Sequence, residues 1–166
     1  MAQSRKVLLV DDHELVRIGV KTTYGDLLDI AIEWVEAVSL HDALEAYRRH
    51  ADFDAVLLDL NLGDCKGLQG LRLFMQAHPL ARVAVFSGTH DEFVIRQARA
   101  LGAAAYIGKG SMTAATRDTL LALLGLLDTL DGRFIRLRVA DPATEPLEIA
   151  HRHEPGVRVR HQRLLR

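Results

Sequence analysis

The chain has 166 residues, and its hydrophobic content of 49% is sufficient to bury the core of one domain of ordinary size. The formal net charge of −1 is spread unevenly: residues 1–130 carry 13 Lys and Arg against 17 Asp and Glu, whereas residues 131–166 carry 8 against 5. A single cysteine, Cys65, excludes an internal disulfide. No apolar run approaches the roughly 20 residues that span a bilayer, and the N-terminus lacks the long apolar segment of a signal peptide. We therefore expect a cytoplasmic protein without membrane association.

Short apolar runs alternate with longer segments of helical periodicity. Segments rich in Val, Ile, Leu or aromatic residues predict five buried strands. These runs are VLLV (7–10), AIEWVEAV (31–38), AVLLDL (55–60), RVAVFS (82–87) and AAYI (104–107). A helical segment follows each of them, the last covering about residues 113–130. Five alternations of strand and helix predict an α/β fold with a parallel sheet that helices cover on both faces.

Chemically active side chains stand where the predicted strands end. Asp11 and Asp12 follow the first strand, Asp59 follows the third, Ser87 ends the fourth, and Lys109 follows the fifth. Ligands of open parallel sheets bind at the carboxyl ends of the strands. We therefore expect three carboxylates, one hydroxyl and one ammonium to meet at a single edge of the sheet.

This set of groups suits a divalent cation and phosphoryl transfer. Mg²⁺ takes one or two carboxylates together with waters and phosphate oxygens, and a cation would relieve the repulsion between Asp11 and Asp12. A carboxylate also acts as a nucleophile towards phosphorus and then forms an aspartyl phosphate. The transferred group needs its charge neutralised, which a metal, Lys109 and Ser87 would provide.

Three stretches resemble the receiver domain of bacterial response regulators, and among these the NarL/FixJ subgroup. They are VLLVDDHELVRIGV, VLLDLNLGDCKGLQGL and RVAVFSGTHDEFVIRQARALGAAAYIGKGS, and the resemblance covers about residues 5–130. It implies a CheY-like, flavodoxin-like doubly wound fold, with five parallel strands in the order 2-1-3-4-5 and five helices. It also implies a signalling protein of a two-component system, rather than an enzyme, that receives a phosphoryl group from a histidine kinase or a histidine phosphotransfer protein.

The resemblance assigns a role to each position of the motif. Asp59 matches the phosphoacceptor, Ser87 the switch hydroxyl and Lys109 the lysine that contacts the phosphoryl group. Asp11 and Asp12 match the acidic pair that helps to hold Mg²⁺. The backbone carbonyl of Asn61 would complete the metal site.

Tyr106 falls where the family keeps an aromatic switch, which would move inward on phosphorylation, although an aromatic at this point of a strand is also typical of a core. The signal would leave through the face of the fourth helix, fifth strand and fifth helix, about residues 91–128, towards a downstream protein or a second copy. Seven leucines between Leu120 and Leu130 exceed one buried stripe, so part of the last helix is expected to pack on a partner, unless the tail folds back over it.

One departure from the family pattern concerns the loop after Asp59. Gly63 replaces the usual proline, which predicts a less rigid loop. Two residues near strand ends have a second interpretation: Ser87 is also a candidate helix cap near Asp91, and His13 a candidate cap of the first helix.

Residues 131–166 do not by themselves indicate how the domain passes its signal on. We divide the chain into a receiver domain, residues 1–130, and a basic tail, residues 131–166, which we expect to be extended or disordered, with RFIRLRVA as a short strand or an arm. The tail is too short and too rich in proline for a helix-turn-helix domain, so DNA binding is the less favoured alternative, either through this arginine-rich tail or in a truncated regulator. A phosphatase with an aspartate nucleophile is a weaker one, because such enzymes place a second Asp where this chain has Asn61.

Overall fold

The computed structural model describes residues 4–28, 30–109, 114–126 and 135–137. The strands in these ranges are β1 (Ser4–Val10), β2 (Ala31–Ala37), β3 (Ala55–Leu58), β4 (Val83–Ser87), β5 (Ala105–Gly108) and β6 (Ile135–Leu137). The helices are α1 (Glu14–Leu28), α2 (Leu40–Arg49), α3 (Leu68–Ala77), α4 (Glu92–Ala100) and α5 (Ala114–Leu123). Among the described helices, none combines the length and the apolar character needed to cross a membrane.

All six strands are parallel and form one sheet in the order β2-β1-β3-β4-β5-β6. The predicted doubly wound fold, with five parallel strands in the order 2-1-3-4-5 and five helices, is confirmed. Strand order reverses at β1, which lies between β2 and β3. Since Val10 of β1 is in register with Leu58 of β3, the residues that follow these two strands emerge side by side.

The core consists of two layers, one on each face of the sheet. Successive side chains of β1 alternate between them, as the two-residue period of a strand requires. Leu8 and Val10 pack in the layer that includes Phe74 of α3, whereas Val7 and Leu9 pack in the layer that includes Leu120 of α5. Burial on both faces explains why the central strands are apolar without interruption.

Side-chain caps begin two of the helices. The Ser39 hydroxyl accepts a hydrogen bond of 3.0 Å from the Asp42 N–H at the start of α2. The Asp91 carboxylate accepts one of 2.8 Å from the Phe93 N–H at the start of α4. The cap of α4 is therefore Asp91 and not Ser87, which leaves the Ser87 side chain at the end of β4.

The leucines of α5 belong to the core to a larger extent than the sequence suggested. Leu120, Leu121, Leu123 and Leu124 are all buried, in the layer that includes Tyr24 and Leu28 of α1. Because α5 contacts both the sheet and α1, these elements bury more than one face of the helix. Leu127 and Leu130 lie outside the described residues.

A sixth strand extends the sheet beyond β5. Residues Ile135–Leu137 pair in parallel with Ala105–Ile107, so β5 is an internal strand at these positions. This short strand falls within RFIRLRVA, which the sequence predicted to be a strand or an extended arm. The rest of the predicted tail lies outside the described residues.

Candidate functional site

Four of the predicted site residues lie at the carboxyl edge of the sheet because backbone hydrogen bonds continue past the strand ends. The Asp11 N–H donates to the Ala37 carbonyl (3.1 Å), and the Asp59 N–H donates to the Val10 carbonyl (3.0 Å). The Lys109 N–H donates to the Ser87 carbonyl (2.8 Å). Asp11, Asp59, Ser87 and Lys109 are thus fixed by the same ladder that holds the sheet together.

A lysine joins two buried carboxylates at this edge. Asp11 and Asp59 are 0% and 2% exposed, and Lys109 Nζ lies 2.8 Å from Asp11 Oδ2 and 3.1 Å from Asp59 Oδ2. Burial lowers the pKa of Lys109, but its contacts with the two carboxylates outweigh burial and raise that pKa above its ordinary value. The lysine is therefore a permanent cation in the site.

The carboxylates retain unused acceptor capacity. Asp11 Oδ2 and Asp59 Oδ2 are buried, and among the described residues no donor makes a hydrogen bond of good angular geometry to either of them. The contacts with Lys109 are ion pairs by distance, and they leave lone pairs on both oxygens unsatisfied. Buried acceptors of this kind are costly unless a further cation or donor meets them.

Asp12 and His13 extend the acidic group towards solvent. His13 Nδ1 lies 3.0 Å from Asp12 Oδ1 and 3.2 Å from Asp11 Oδ1. One candidate donor atom from each of Asp11, Asp12, His13 and Asp59 falls within 4.8 Å of the others. Three carboxylates at this spacing, two of them with unsatisfied oxygens, fit a hard divalent cation such as Mg²⁺. His13 also directly precedes α1, and its carbonyl accepts a hydrogen bond from the Arg17 N–H (3.1 Å).

The loop after Asp59 forms a tight hairpin. Asn61 and Lys66 form an antiparallel bridge, flanked by hydrogen bonds from the Leu62 N–H to the Cys65 carbonyl (3.1 Å) and from the Gly67 N–H to the Leu60 carbonyl (2.6 Å). Asn61 thus occupies a non-hydrogen-bonded position, where its own carbonyl takes no part in the pairing. Its N–H donates to Asp59 Oδ1 (3.1 Å), which ties the loop to the side chain of Asp59.

This hairpin changes the expectation for Gly63. The loss of proline predicted a looser loop, yet the bridge and the fully buried Leu62 restrain the segment on both sides of the glycine. A Cβ built on Gly63 would lie 3.8 Å from Asp12 Oδ2, so the loop packs directly beside the acidic group. Restraint here comes from tertiary contacts instead of a proline ring.

Ser87 and Tyr106 lie on neighbouring strands and are both buried. The Ser87 hydroxyl accepts a hydrogen bond from the Thr89 N–H (3.2 Å). The Tyr106 hydroxyl donates to the Thr89 carbonyl (2.7 Å), and its side chain packs with the core layer of α2, α3 and α4. The aromatic ring therefore already lies inward, and the β4–α4 connection links it to Ser87.

Comparison with known proteins identifies the domain. The sequence profile described as the response regulator receiver domain matches residues 7–124, which is more than half of the chain. The chain belongs to this family. The predicted resemblance is therefore confirmed.

The curated relatives of this receiver domain are NarL/FixJ-type response regulators. The glycerol metabolism activator of Pseudomonas putida is 33% identical over 119 residues, which cover 72% of this chain and 53% of the relative. The response regulator GacA of Pseudomonas syringae pv. syringae is 36% identical over 107 residues, which cover 64% of this chain and 49% of GacA. The chain thus spans about half the length of the curated relatives it matches.

Solved structures share the fold of this receiver domain. A LuxR-family two-component response regulator from Aurantimonas sp. SI85-9A1 is 28% identical, with a TM-score of 0.65 over 74% of this chain and 86% of that one. A response regulator from Burkholderia pseudomallei, described with a phosphorylated aspartic acid and a calcium ion, is 24% identical, with a TM-score of 0.57 over 72% and 66%. The second likeness is one of fold alone.

Two residues of α1 that the sequence did not single out, Arg17 and Lys21, support the receiver site. Arg17 on α1 donates through Nη1 to the Asp11 carbonyl (2.8 Å) and through Nε to Glu36 Oε1 (3.0 Å). Lys21 pairs with the other oxygen of Glu36 (3.0 Å), and Lys21 above all, together with Arg17, holds the pKa of Glu36 below its usual range against the opposing effect of burial. This pairing gives a role to Glu36, the next-to-last residue of β2, because Glu36 anchors α1 and, through Arg17, the backbone at Asp11.

We expect Tyr106→Phe to lower the stability of the receiver domain by about 1 kcal/mol. The substitution removes a buried hydrogen bond of 2.7 Å and leaves the Thr89 carbonyl without this donor, while the ring packing is retained. Urea denaturation followed by circular dichroism measures the change. An unaltered midpoint at an unaltered slope would show that this hydrogen bond does not stabilise the receiver domain.

Proposed function

We propose that this chain is a phosphorylation-controlled signalling module of a two-component system, in which Asp59 accepts a phosphoryl group from a histidine kinase or a histidine phosphotransfer protein. The observation that carries the proposal is the pair of buried carboxylates, Asp11 and Asp59, joined by Lys109 and left with unsatisfied oxygens. Such an arrangement destabilises the resting protein, and this cost is typical of a reactive site.

Each residue has a separate task in the proposed reaction. Asp59 attacks phosphorus, so a P–O bond to its carboxylate forms as the P–N bond of the donor phosphohistidine breaks. The Lys109 ammonium neutralises charge on the phosphoryl oxygens, and the Ser87 hydroxyl turns towards them as a donor. Asp11, Asp12, Asp59 and the Asn61 carbonyl would hold Mg²⁺, which supplies further charge neutralisation when bound.

The proposed output follows from the contacts of Ser87 and Tyr106. If Ser87 turns towards the phosphoryl group, its hydrogen bond with the Thr89 N–H breaks, and the segment that also binds the Tyr106 hydroxyl is released to move. This movement would alter the α4–β5–α5 face, which would then bind a downstream protein or form a homodimer. Because β6 covers the edge of β5, the exposed residues of α4 are better placed than β5 to contact a partner. Phe93 on α4 is 67% exposed, and we propose its ring as a contact for the downstream protein or for the second copy.

The proposal predicts that Mg²⁺ and an analogue of the phosphoryl group each raise the free energy of unfolding. We expect Mg²⁺ at a hundredfold excess over its dissociation constant to raise the free energy of unfolding by about 2.7 kcal/mol, and beryllium trifluoride to raise it further, because both bind only the folded site. Thermal unfolding with Mg²⁺, with Mg²⁺ and beryllium trifluoride, and with Na⁺ at equal ionic strength measures both steps.

A variant of one proposed metal ligand and a matched surface control test the metal site. Asp12→Asn should weaken the response to Mg²⁺, because Asp12 is proposed as a metal ligand. Asp118→Asn, which removes an exposed carboxylate on α5, should leave both responses unchanged. Equal responses of the wild type and Asp12→Asn would contradict the proposed metal site.

A further inference from the structure

Asp64 lies at the tip of the hairpin that carries Asn61, and it reaches across to another element. Its carboxylate accepts hydrogen bonds from the Leu40 N–H (3.0 Å) and the His41 N–H (3.1 Å), at the start of α2. These are two of the donors that a helix N-terminus leaves without an intrahelical partner. A residue of the β3–α3 loop therefore caps a helix 23 residues away along the chain.

The capping of α2 is divided between two side chains. Ser39, which directly precedes the helix, accepts the hydrogen bond from the Asp42 N–H, whereas Asp64 accepts those from Leu40 and His41. The carboxylate also faces the positive end of the helix dipole. The N–H of Leu40 above all, and that of His41, hold the pKa of Asp64 below its usual range, so Asp64 is ionised and its hydrogen bonds are charge-assisted.

The position of Asp64 in the loop gives this cap a second consequence. Gly63 adjoins the acidic group near Asp12, and it lies between two anchors: the buried Leu62 on one side and Asp64 on the other. Leu62 fixes the hairpin against the core, and Asp64 fixes it against α2. Both contacts hold the hairpin on either side of Gly63, and the Asn61 carbonyl lies outside the hairpin pairing.

We propose that Asp64 is a positioning residue, which anchors the β3–α3 loop to α2 and thereby holds the Asn61 carbonyl where a divalent cation takes it as a ligand. This inference rests on the proposed metal site. It assigns to Asp64 the restraint that a proline at position 63 would otherwise provide. Because the residue acts through the loop and touches neither the cation nor the phosphoryl group, its effect should appear in metal affinity.

Asp64→Ala and Ser39→Ala form a matched pair for the test. Each removes hydrogen-bond acceptors from the N-terminus of α2, but only Asp64 belongs to the loop. Titration calorimetry with Mg²⁺ alone, on the full chain, gives the dissociation constant without any phosphoryl donor. We expect Asp64→Ala to raise this constant about tenfold, as the loss of a residue that orients a metal ligand does, and Ser39→Ala to change it less than twofold. Asp64→Asn keeps one acceptor oxygen and should fall between them.

Any one of the following results would overturn the inference. Equal Mg²⁺ affinity in Asp64→Ala and the wild type would show that Leu62 alone holds the loop. Equal weakening in Asp64→Ala and Ser39→Ala would show that only the stability of α2 matters. Absence of Mg²⁺ binding by the folded wild type would overturn the proposed metal site itself and this inference with it. If Asp64→Ala does not fold, Asp64→Asn with wild-type affinity is the contradicting result.

Discussion

Asp59→Asn is expected to abolish phosphorylation and, at the same time, to make the metal-free protein more stable by about 1 kcal/mol. The reaction is lost because an amide cannot act as the carboxylate nucleophile. Stability rises because Asp11 and Asp59 are two buried like charges that share one lysine, and the substitution leaves a one-to-one pair of Asp11 with Lys109. Urea denaturation in the presence of a chelator measures the stability, and incubation with acetyl phosphate and Mg²⁺ measures the reaction.

The control for this substitution is Asp118→Asn, which removes the same charge from the exposed surface of α5. It should react as the wild type does and change stability by less than about 0.5 kcal/mol. A loss of stability in Asp59→Asn would show that the Asp59–Lys109 contact outweighs the repulsion between the two carboxylates. Phosphorylation of Asp59→Asn would place the phosphoacceptor elsewhere.

Lys109→Met is expected to reduce the rate of phosphorylation about a hundredfold, as the removal of one charge-stabilising group does. It should also destabilise the metal-free protein by about 1–2 kcal/mol, because Asp11 and Asp59 lose their shared cation. The lysine side chain is 24% exposed, and solvent screening keeps this cost below that of a fully buried pair. Stopped incubations with acetyl phosphate give the rate, and urea denaturation gives the stability.

Methionine keeps the length of the side chain, so the substitution changes charge more than volume. Lys66→Met, at an exposed position of the neighbouring loop, serves as the matched control and should alter neither quantity. A wild-type rate in Lys109→Met would remove the lysine from the proposed reaction. If Mg²⁺ restored the stability of Lys109→Met but not its rate of phosphorylation, this result would show that the ammonium stabilises the fold and assists the reaction as two separate roles.

The sequence was sufficient to predict the sheet and the side chains at its edge. An uninterrupted apolar strand followed by a polar residue is a local pattern, and in a parallel sheet every strand ends at the same edge, so Asp11, Asp59, Ser87 and Lys109 could be placed together. The alternation of short apolar runs with segments of helical period predicted the layers in the same way. These features depend on local order, which a single sequence contains.

The contacts that support the site could not be predicted in this way. Asp64 caps α2 across more than 20 residues, and Arg17 on α1 meets Glu36 at the end of β2. Each contact depends on how two separate elements pack, and neither residue type nor spacing indicates it. The same holds for the leucines between Leu120 and Leu130: the sequence showed more of them than one buried stripe requires, and only the packing shows that all four from Leu120 to Leu124 are in the core.

Intact-mass spectrometry of the wild-type chain after incubation with acetyl phosphate tests the central claim most directly. With Mg²⁺ present we predict the addition of one phosphoryl group, absent when a chelator replaces the metal, and peptide mapping should locate it on Asp59. An adduct on another residue, or no adduct on a chain that circular dichroism shows to be folded, would contradict the proposal that this receiver domain signals through phosphorylation of Asp59.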